Sequence, residues 1–366
     1  MNKLNKLILL SALLSCSQYA LAVATCTVKP VRNFVATLAP GNVTVGPDMP
    51  NGTVIYRLNF NDPGTATDFA VCSPGPFNVP QVLDFATNPL VLSSWSGSPF
   101  PGRVYQTSVP GIGVAIWSDL SNQALPTTAY VTKHTETRSF SFNVRINTVL
   151  SFIKIGNVSP GTINGSQLPT VKLDFGADPT LTGMPIRIYN LSFNGSLNIV
   201  SKTCTTPDVN VAMGSFEVSK YFTGIGSTTP WKDASINLTN CPVFHGYFND
   251  SSYNTSPGSG STTVGQPINN TLSVKLTPAT AILNPSNGIF AIDSSNASAA
   301  KGVGIQLGYG ATSSPSLLDF SKNITVSLTS SQQSVKIPLS ARYYQTASTV
   351  SPGRADGKVV FLINYY

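Results

Sequence analysis

The last fourteen residues, GRADGKVVFLINYY (353–366), determine how the rest of the chain is interpreted. Successive side chains of a strand point to opposite faces. One face of KVVFLINYY therefore carries Val359, Phe361, Ile363 and Tyr365, and the other carries Val360, Leu362, Asn364 and Tyr366. The pattern predicts a terminal β-strand with no charged tail after it. An apolar strand of this kind is an aggregation hazard unless another strand covers it.

The remainder of the sequence has the composition of an all-β protein. Only 10% of the residues are charged, 41% are hydrophobic, and 29 Gly and 27 Pro separate short runs of Val, Ile, Thr and Phe. Such runs between turn residues are typical of strands. In SFSFNVRI (139–146), for example, apolar and polar residues alternate. No segment of ten or more residues has a clear helical period, so we expect an all-β fold.

The charge pattern argues against nucleic acid as a partner. The chain has 22 basic and 15 acidic residues, giving a formal net charge of +7. A nucleic-acid-binding patch requires clustered basic residues, and the basic residues of this chain do not cluster in sequence.

The first 22 residues have the features of a signal peptide. Lys3 and Lys6 precede the apolar run LILLSALL (7–14), and Ala20-Leu21-Ala22 forms a small-x-small cleavage site. The apolar run is too short to span a bilayer. The sequence therefore predicts a secreted chain whose mature part starts near Val23.

Beyond the predicted signal peptide there are four cysteines, Cys26, Cys72, Cys204 and Cys241. In an oxidising compartment we expect them to pair, and three connectivities are possible. Local pairing, Cys26 to Cys72 and Cys204 to Cys241, places one bridge in each half of the chain. Each bridge would close a loop of about 40 residues and contribute ~4 kcal/mol in the chain-entropy model.

The predicted domain boundary lies in NIVSKTCTTPD (198–208), where a strand ends and a short polar linker precedes a new cysteine. We expect an N-terminal domain at 23–200, a linker at 201–203 and a C-terminal domain at 204–366. Both domains are predicted to be immunoglobulin-like β-sandwiches.

The second half resembles the subunits of chaperone–usher fimbriae. The resemblance rests on SPGRADGKVVFLINYY (351–366), with a Gly fourteen residues from the end and a penultimate aromatic, and on KGVGIQLGYG (301–310) and FTGIGSTTPWKDASINLTNC (222–241). It implies an incomplete pilin sandwich that lacks its final strand. A periplasmic chaperone fills the groove first, and the N-terminal strand of an adjacent pilus subunit then replaces it after delivery to an outer-membrane usher. The implied docking residues are Gly353, Val359, Phe361, Ile363 and Tyr365.

The first half implies a place at the fimbrium tip. Ordinary pilins carry a donor strand before their first cysteine, whereas Cys26 follows the predicted mature terminus by only three residues. A subunit that receives a strand but donates none is expected at the end of the fibre, at the cell surface. The layout is similar to that of two-domain tip adhesins, with a lectin domain first and a pilin domain second.

The stretches GIGVAIWSDLSN (111–122) and TETRSFSFNVRI (135–146) resemble the N-acetylglucosamine-binding fimbrial lectins. The resemblance places Asp119 and the pair Thr137-Arg138 near the sugar, with Arg138 where the family has an amide. Sugar recognition needs carboxylates and amides beside an aromatic ring. The predicted residues for binding a host glycan are Asp119, Asn122, Gln123, Thr135, Glu136, Thr137, Arg138 and Trp95.

Two other functional classes remain open at this stage. The chain could be a structural minor or capping subunit without specific glycan binding. It could also be a secreted glycosidase using Asp119 and Glu136, although no catalytic motif such as G-x-S-x-G or H-E-x-x-H is present. We therefore predict no enzyme, no cofactor and no metal, while noting that His134 could combine with these carboxylates as a metal ligand.

Overall fold

The computed structural model describes residues 24–39, 41–61, 68–135, 138–143, 147–249, 254–255, 262–263 and 265–366. The predicted signal peptide and the predicted ligand-binding residues Glu136 and Thr137 lie outside these ranges. Within them, the single α-helix is α1 (Val218–Tyr221), and no helix has the length and hydrophobicity needed to cross a membrane. The prediction of an all-β fold is confirmed.

The first half of the chain contributes sixteen strands within the ranges given above. They are β1 (Ala24–Val28), β2 (Arg32–Leu38), β3 (Asn42–Thr44), β4 (Val54–Asn61), β5 (Asp68–Cys72), β6 (Phe77–Thr87), β7 (Tyr105–Gln106), β8 (Ile112–Ser118), β9 (Gln123–Ala124), β10 (Thr127–His134), β11 (Phe140–Asn143), β12 (Asn147–Lys154), β13 (Gly161–Asn164), β14 (Thr170–Phe175), β15 (Leu181–Thr182) and β16 (Ile186–Val200).

The described residues of the second half form thirteen strands. They are β17 (Lys232–Asp233), β18 (Ile236–Leu238), β19 (Asn254–Thr255), β20 (Thr262–Thr263), β21 (Thr271–Pro278), β22 (Ile282–Asn284), β23 (Ile289–Ala291), β24 (Val303–Tyr309), β25 (Ser316–Leu317), β26 (Ile324–Ser327), β27 (Val335–Ile337), β28 (Leu339–Gln345) and β29 (Val359–Tyr365).

Three sheets surround the first hydrophobic core. Their strand orders are β11-β5-β1-β15, then β10-β6-β14-β16-β13 with β2 and β3 also on β16, and β20-β19-β4-β12-β8-β7 with β9 on β8. The alternating pattern of the strands brings large side chains inward, and Tyr56 and Phe152 are directly opposed on β4 and β12. Both are fully buried.

Three further sheets enclose the second core. Their orders are β17-β28-β24-β23-β22 with β25 on β24, then β18-β27, and β26-β21-β29. The core draws on Ile236, Leu276, Ile305 and Ile337 from different strands. Residues 201–203 lie between the end of β16 and Cys204, which already belongs to this second core.

Both predicted disulfides are confirmed. Cys26 bonds to Cys72 across the paired strands β1 and β5, and Cys204 bonds to Cys241. Because each bridge joins residues of the same half, no disulfide connects the two halves of the chain.

Candidate strand-binding groove and glycan-contact residues

The terminal strand β29 lies at the edge of its sheet. It pairs antiparallel with β21 from Val359 opposite Pro278 to Tyr365 opposite Leu272. Among the described residues, no strand pairs with its other edge. On this edge the backbone N–H and C=O groups of Val359, Phe361 and Ile363 are therefore available to a further strand, whereas those of Tyr365 are bonded to Asp48.

The two faces of β29 differ in burial, as the sequence pattern predicts. Val359, Phe361 and Ile363 pack against the second core. Val360 and Leu362 are 55% and 57% exposed on the opposite face. The alternation fixes the register of the strand, because a slip by one residue would exchange the two sets.

A groove runs beside the unpaired edge of β29. Its far wall is the segment 209–215, which forms no ladder, although the side chains of Val209, Val211 and Met213 pack against the second core. The groove encloses a cavity of about 590 Å³. Its apolar lining includes Val209, Val211, Met213, Ala234, Ile236, Leu276, Phe290, Ile305, Leu307, Leu339, Ala341, Ala355, Val359 and Phe361. A strand placed here would find both a backbone edge and apolar pockets.

A second cavity of about 270 Å³ adjoins the first, and both are lined by Gly214, Ser215, Tyr343 and Ala355. The second also reaches Gly353, the glycine fourteen residues from the end. The groove therefore extends beyond β29 toward the preceding loop.

Gly353 is needed for a close backbone approach. A Cβ atom at this position would lie 2.5 Å from the backbone nitrogen of Ala300 and 2.5 Å from the carbonyl oxygen of Ser298. The next residue, Arg354, holds the same segment, because its N–H donates to the Ser298 carbonyl and its carbonyl accepts from the N–H of Ala300, each at 2.8 Å. Any larger residue would force these two segments apart.

Tyr365, the penultimate residue, is an anchor of the second core. It is 6% exposed, its ring stacks on Phe244 with centroids 6.4 Å apart, and the backbone N–H of Cys204 donates to its hydroxyl at 3.2 Å. Burial, as the main cause, raises the pKa of the phenol. The aromatic residue thus joins the terminal strand to the first disulfide cysteine of this half.

In the first half, Asp119, Asn122 and Gln123 lie together at the turn between β8 and β9. Asn122 adopts φ +54°, a left-handed conformation that asparagine tolerates well. Gln123 accepts a hydrogen bond from the hydroxyl of Thr127 at 2.8 Å. Asp119 is half-buried, whereas Asn122 and Gln123 are exposed.

Thr135 and Arg138 lie at the other end of β10, and both are exposed. Gln123 contacts Thr127, the first residue of β10, whereas Thr135 follows its last residue, His134. A strand rises about 3.3 Å per residue, so the two ends of β10 are about 23 Å apart. The structure therefore does not bring the two predicted groups of glycan contacts together.

His134, considered above as a possible metal ligand, is a buried residue at the end of β10. It is 8% exposed and stacks on Phe77 at 5.0 Å and against Phe140 at 4.8 Å. Its Nε2 atom lies 3.2 Å from the carbonyl oxygen of Arg138. In the described ranges, no group of three His, Cys, Asp or Glu side chains is arranged to hold a metal.

Trp95 packs within its own loop. Its indole N–H donates to the Pro99 carbonyl at 2.9 Å, and its ring contacts a small apolar cluster of Val104, Ala115 and Ile153. The sequence predicts Trp95 as a glycan contact because the loop SSWSGSPFPG (93–102) has no strand period, and this stays a prediction. Trp95 helps to hold this loop against the outer face of the β4–β12–β8 sheet.

Two residues of that outer face were not singled out from the sequence as possible ligand contacts. Trp117 is half-buried and donates from its indole N–H to Ser151 Oγ at 3.0 Å. The guanidinium of Arg57 lies 5.5 Å above its ring, and Phe100 lies 5.5 Å away. Their only sequence signal is the alternation of β4 and β8, which gives no pairing between distant strands.

Comparison with known proteins identifies the relationship of the chain. Residues 191–366 match the family model described as fimbrial protein. The chain is 26% identical over 341 residues to a fimbria adhesin protein of Klebsiella pneumoniae, covering 91% of each sequence. The second half of the chain is thus similar to fimbrial proteins, and nearly its whole length is similar to a fimbria adhesin. The resemblance to fimbrial subunits inferred from its last strand is thereby confirmed.

Similar chains also exist among solved structures of fimbrial adhesins. The CupB6 tip adhesin from Pseudomonas aeruginosa is 14% identical, with a TM-score of 0.35 and coverage of 93% of this chain and 94% of that one. The receptor binding domain of the adhesin MrkD1P of Klebsiella pneumoniae is 22% identical, with a TM-score of 0.34 and coverage of 50% and 98%.

Proposed function

We propose that this fimbrial adhesin caps the tip of a pilus, where its second domain accepts a strand from the adjacent subunit and its first domain binds a host glycan. The observation that carries the first part is the unpaired edge of β29 beside an apolar groove. An incoming strand would hydrogen-bond to β29 and place alternate side chains in the cavity, which is the mode of β-strand addition.

The groove sets the chemistry of the strand that would fill it. Strand β29 has seven residues, so a complementary strand needs at least that length, about 23 Å. Its inward side chains should be apolar, because the lining consists largely of Val, Ile, Leu and Phe. A periplasmic chaperone would occupy the same edge before an outer-membrane usher delivers the subunit to the fibre, which requires the predicted signal peptide for export.

Strand acceptance can be tested with a synthetic 12-residue peptide that alternates Val or Ile with Thr. Its addition to the full chain should raise the melting temperature in a concentration-dependent way, because only the folded groove binds it. A peptide of identical composition with its apolar residues in one block is the control. No stabilisation by the alternating peptide would contradict the proposal.

A matched pair of variants locates the binding site. Ala355 lines both cavities and is half-buried, so Ala355→Trp should block the groove and abolish the shift. Ala311 is exposed and lines neither cavity, so Ala311→Trp should leave the shift unchanged. Equal shifts in both variants would place peptide binding elsewhere.

For the glycan we favour the turn between β8 and β9. It combines the Asp119 carboxylate with the exposed amides of Asn122 and Gln123, which are the groups that recognise sugar hydroxyls. In addition, the hydroxyls of Ser118 and Ser121 at this turn are buried without a hydrogen-bond partner among the described residues. Thr135 and Arg138 form a separate exposed group at the far end of β10.

A glycan array with the full chain separates the two candidate functions. Asp119→Asn or Gln123→Ala should reduce binding at least ~10-fold, which corresponds to the loss of one or two hydrogen bonds to a sugar. Thr135→Ala is the control at the opposite end of the strand. Loss of binding in Thr135→Ala alone would move the site to that end. No glycan binding by the unmodified chain would favour the alternative, a capping subunit without a specific glycan.

A further inference from the structure

A segment of the second half extends the first domain's sheet. The N–H of Arg57 donates to the Phe248 carbonyl at 2.7 Å, and the N–H of Phe248 donates to the Ile55 carbonyl at 2.9 Å. A few residues later, β19 runs parallel to β4, with Asn254 opposite Asn59. Strand β4 therefore has β12 on one side and residues from beyond Cys241 on the other.

The Phe248 side chain is buried in the first core and not in the second. It is 4% exposed and belongs to the cluster that contains Tyr56 and Phe152. Tyr247 is partly buried against the same cluster. A phenylalanine that fills the core of the other domain fixes this segment by packing as well as by backbone hydrogen bonds.

A second set of contacts centres on Asn270, which is 2% exposed. Its side-chain N–H₂ group donates to the carbonyls of Thr44 and Tyr366 at 3.1 and 3.2 Å, and its oxygen accepts from the N–H of Gly246 at 3.0 Å. In addition, Thr44 N–H donates to the Gly246 carbonyl at 2.9 Å. One buried amide therefore connects both domains and the chain terminus.

The end of β29 is held directly by the first domain. The carboxylate of Asp48 accepts from the N–H of Tyr365 at 2.9 Å, and the N–H of Asp48 donates to the Tyr365 carbonyl at 3.2 Å. Gly46 makes this approach possible, because a Cβ there would lie 2.1 Å from the Tyr365 carbonyl oxygen.

We propose that the first domain is completed in cis by this strand from the second domain, so that the two domains form one cooperative unit and the linker 201–203 is not their main connection. Domains joined only by a linker normally move relative to each other. Here β4 would present an unpaired edge, and its core would lose Phe248, if the second domain were removed. The receptor-binding unit therefore extends beyond residue 200 to include 243–249 and β19.

The contacts that Phe248, Asn270 and Asp48 make between the two domains are called the joint below. The joint has a mechanical consequence that rests on the proposed function. If a fibre strand occupies the groove, tension enters the protein along β29. The end of β29 is hydrogen-bonded to Asp48 and Asn270. The load therefore passes into the first domain through these contacts, in parallel with the linker.

Cleavage of the linker in the intact protein tests the joint without any reference to the groove or the glycan. A protease recognition sequence replaces Ser201-Lys202-Thr203 in the full chain, which is purified folded and then cut. No disulfide joins the halves, so only non-covalent contacts can hold them. We expect the cut halves to co-elute in size-exclusion chromatography. Separation of the unmodified halves would overturn the proposal.

Variants test whether the contacts of the joint hold the two cut halves together. In the cleavable chain, Phe248→Ala should weaken association at least ~100-fold, as expected for truncation of a buried phenylalanine. Asp48→Ala and Asn270→Ser are smaller changes that should each give measurable dissociation if Phe248→Ala does not fold. Ile225→Ala, at a residue that is 67% exposed and outside the joint, should leave the halves together. Persistent co-elution in all three joint variants would contradict the assignment.

Discussion

Substitution of Tyr365 separates the two contributions of this side chain to stability, the hydrogen bond of its hydroxyl and the packing of its ring. Tyr365→Phe keeps the ring against Phe244 but leaves the buried N–H of Cys204 without its acceptor, which costs about 1–2 kcal/mol. Tyr365→Ala also removes a ring that is only 6% exposed, and the loss of a large core side chain raises the cost to about 3–5 kcal/mol. We therefore expect stability to fall in the order wild type, Tyr365→Phe, Tyr365→Ala.

The assay is urea unfolding of the full chain. The quantity compared between variants is the free energy of unfolding for the transition that exposes the second core. The pH dependence gives an independent check. Burial raises the pKa of Tyr365 from 10.0, so its contribution is complete below pH 10 and is lost as the pH rises through the folded-state pKa. The gap between wild type and Tyr365→Phe should therefore shrink above pH 10. A Tyr365→Ala variant within 0.5 kcal/mol of wild type, roughly the range of a surface substitution, would refute this explanation.

Two further substitutions test other contacts by the same unfolding assay. Gly353→Ala should destabilise the second domain by about 1–3 kcal/mol, because its Cβ would lie 2.5 Å from the Ser298 carbonyl oxygen, and an unchanged midpoint would contradict this. At Asp178, burial raises the carboxyl pKa, but hydrogen bonds from Thr180 and Asn78 outweigh it and leave the pKa below 3.8. Asp178→Asn should therefore cost about 1 kcal/mol above pH 3.8, with the difference from wild type vanishing as the pH falls below the folded-state pKa, whereas a pH-independent difference would exclude this linkage.

The sequence was most informative where the strand period is regular. Alternation in KVVFLINYY predicted which side chains of β29 face the core, and the structure places Val359, Phe361 and Ile363 there. The positions of the cysteines favoured local pairing, and both bonds are present. The alternation depends on residues that are adjacent in sequence, and the pairing depends only on the number and positions of the cysteines.

Contacts between distant strands could not be predicted from the same patterns. Asp119 and Thr135 seemed near each other in sequence, but the eight-residue strand β10 lies between their loops and separates them. Phe248 lies in a sequence region without a strand period, so nothing in its neighbours indicated that it enters the core of the other domain. The role of Gly353 was likewise visible only as a spacing from the terminus, because its cause is the approach of the backbone at Ala300.

Amide hydrogen exchange at β29 tests the central proposal, acceptance of a strand from another chain, most directly. The full chain is compared alone and with a complementary strand bound. Half of the β29 backbone groups face β21, and the other edge has no partner among the described strands. We predict that the amides of Val359, Phe361 and Ile363 on this second edge exchange rapidly in the chain alone and become protected when the strand is bound, whereas the Tyr365 amide is already bonded to Asp48. Protection of both edges in the chain alone, or no change on binding, would contradict the account.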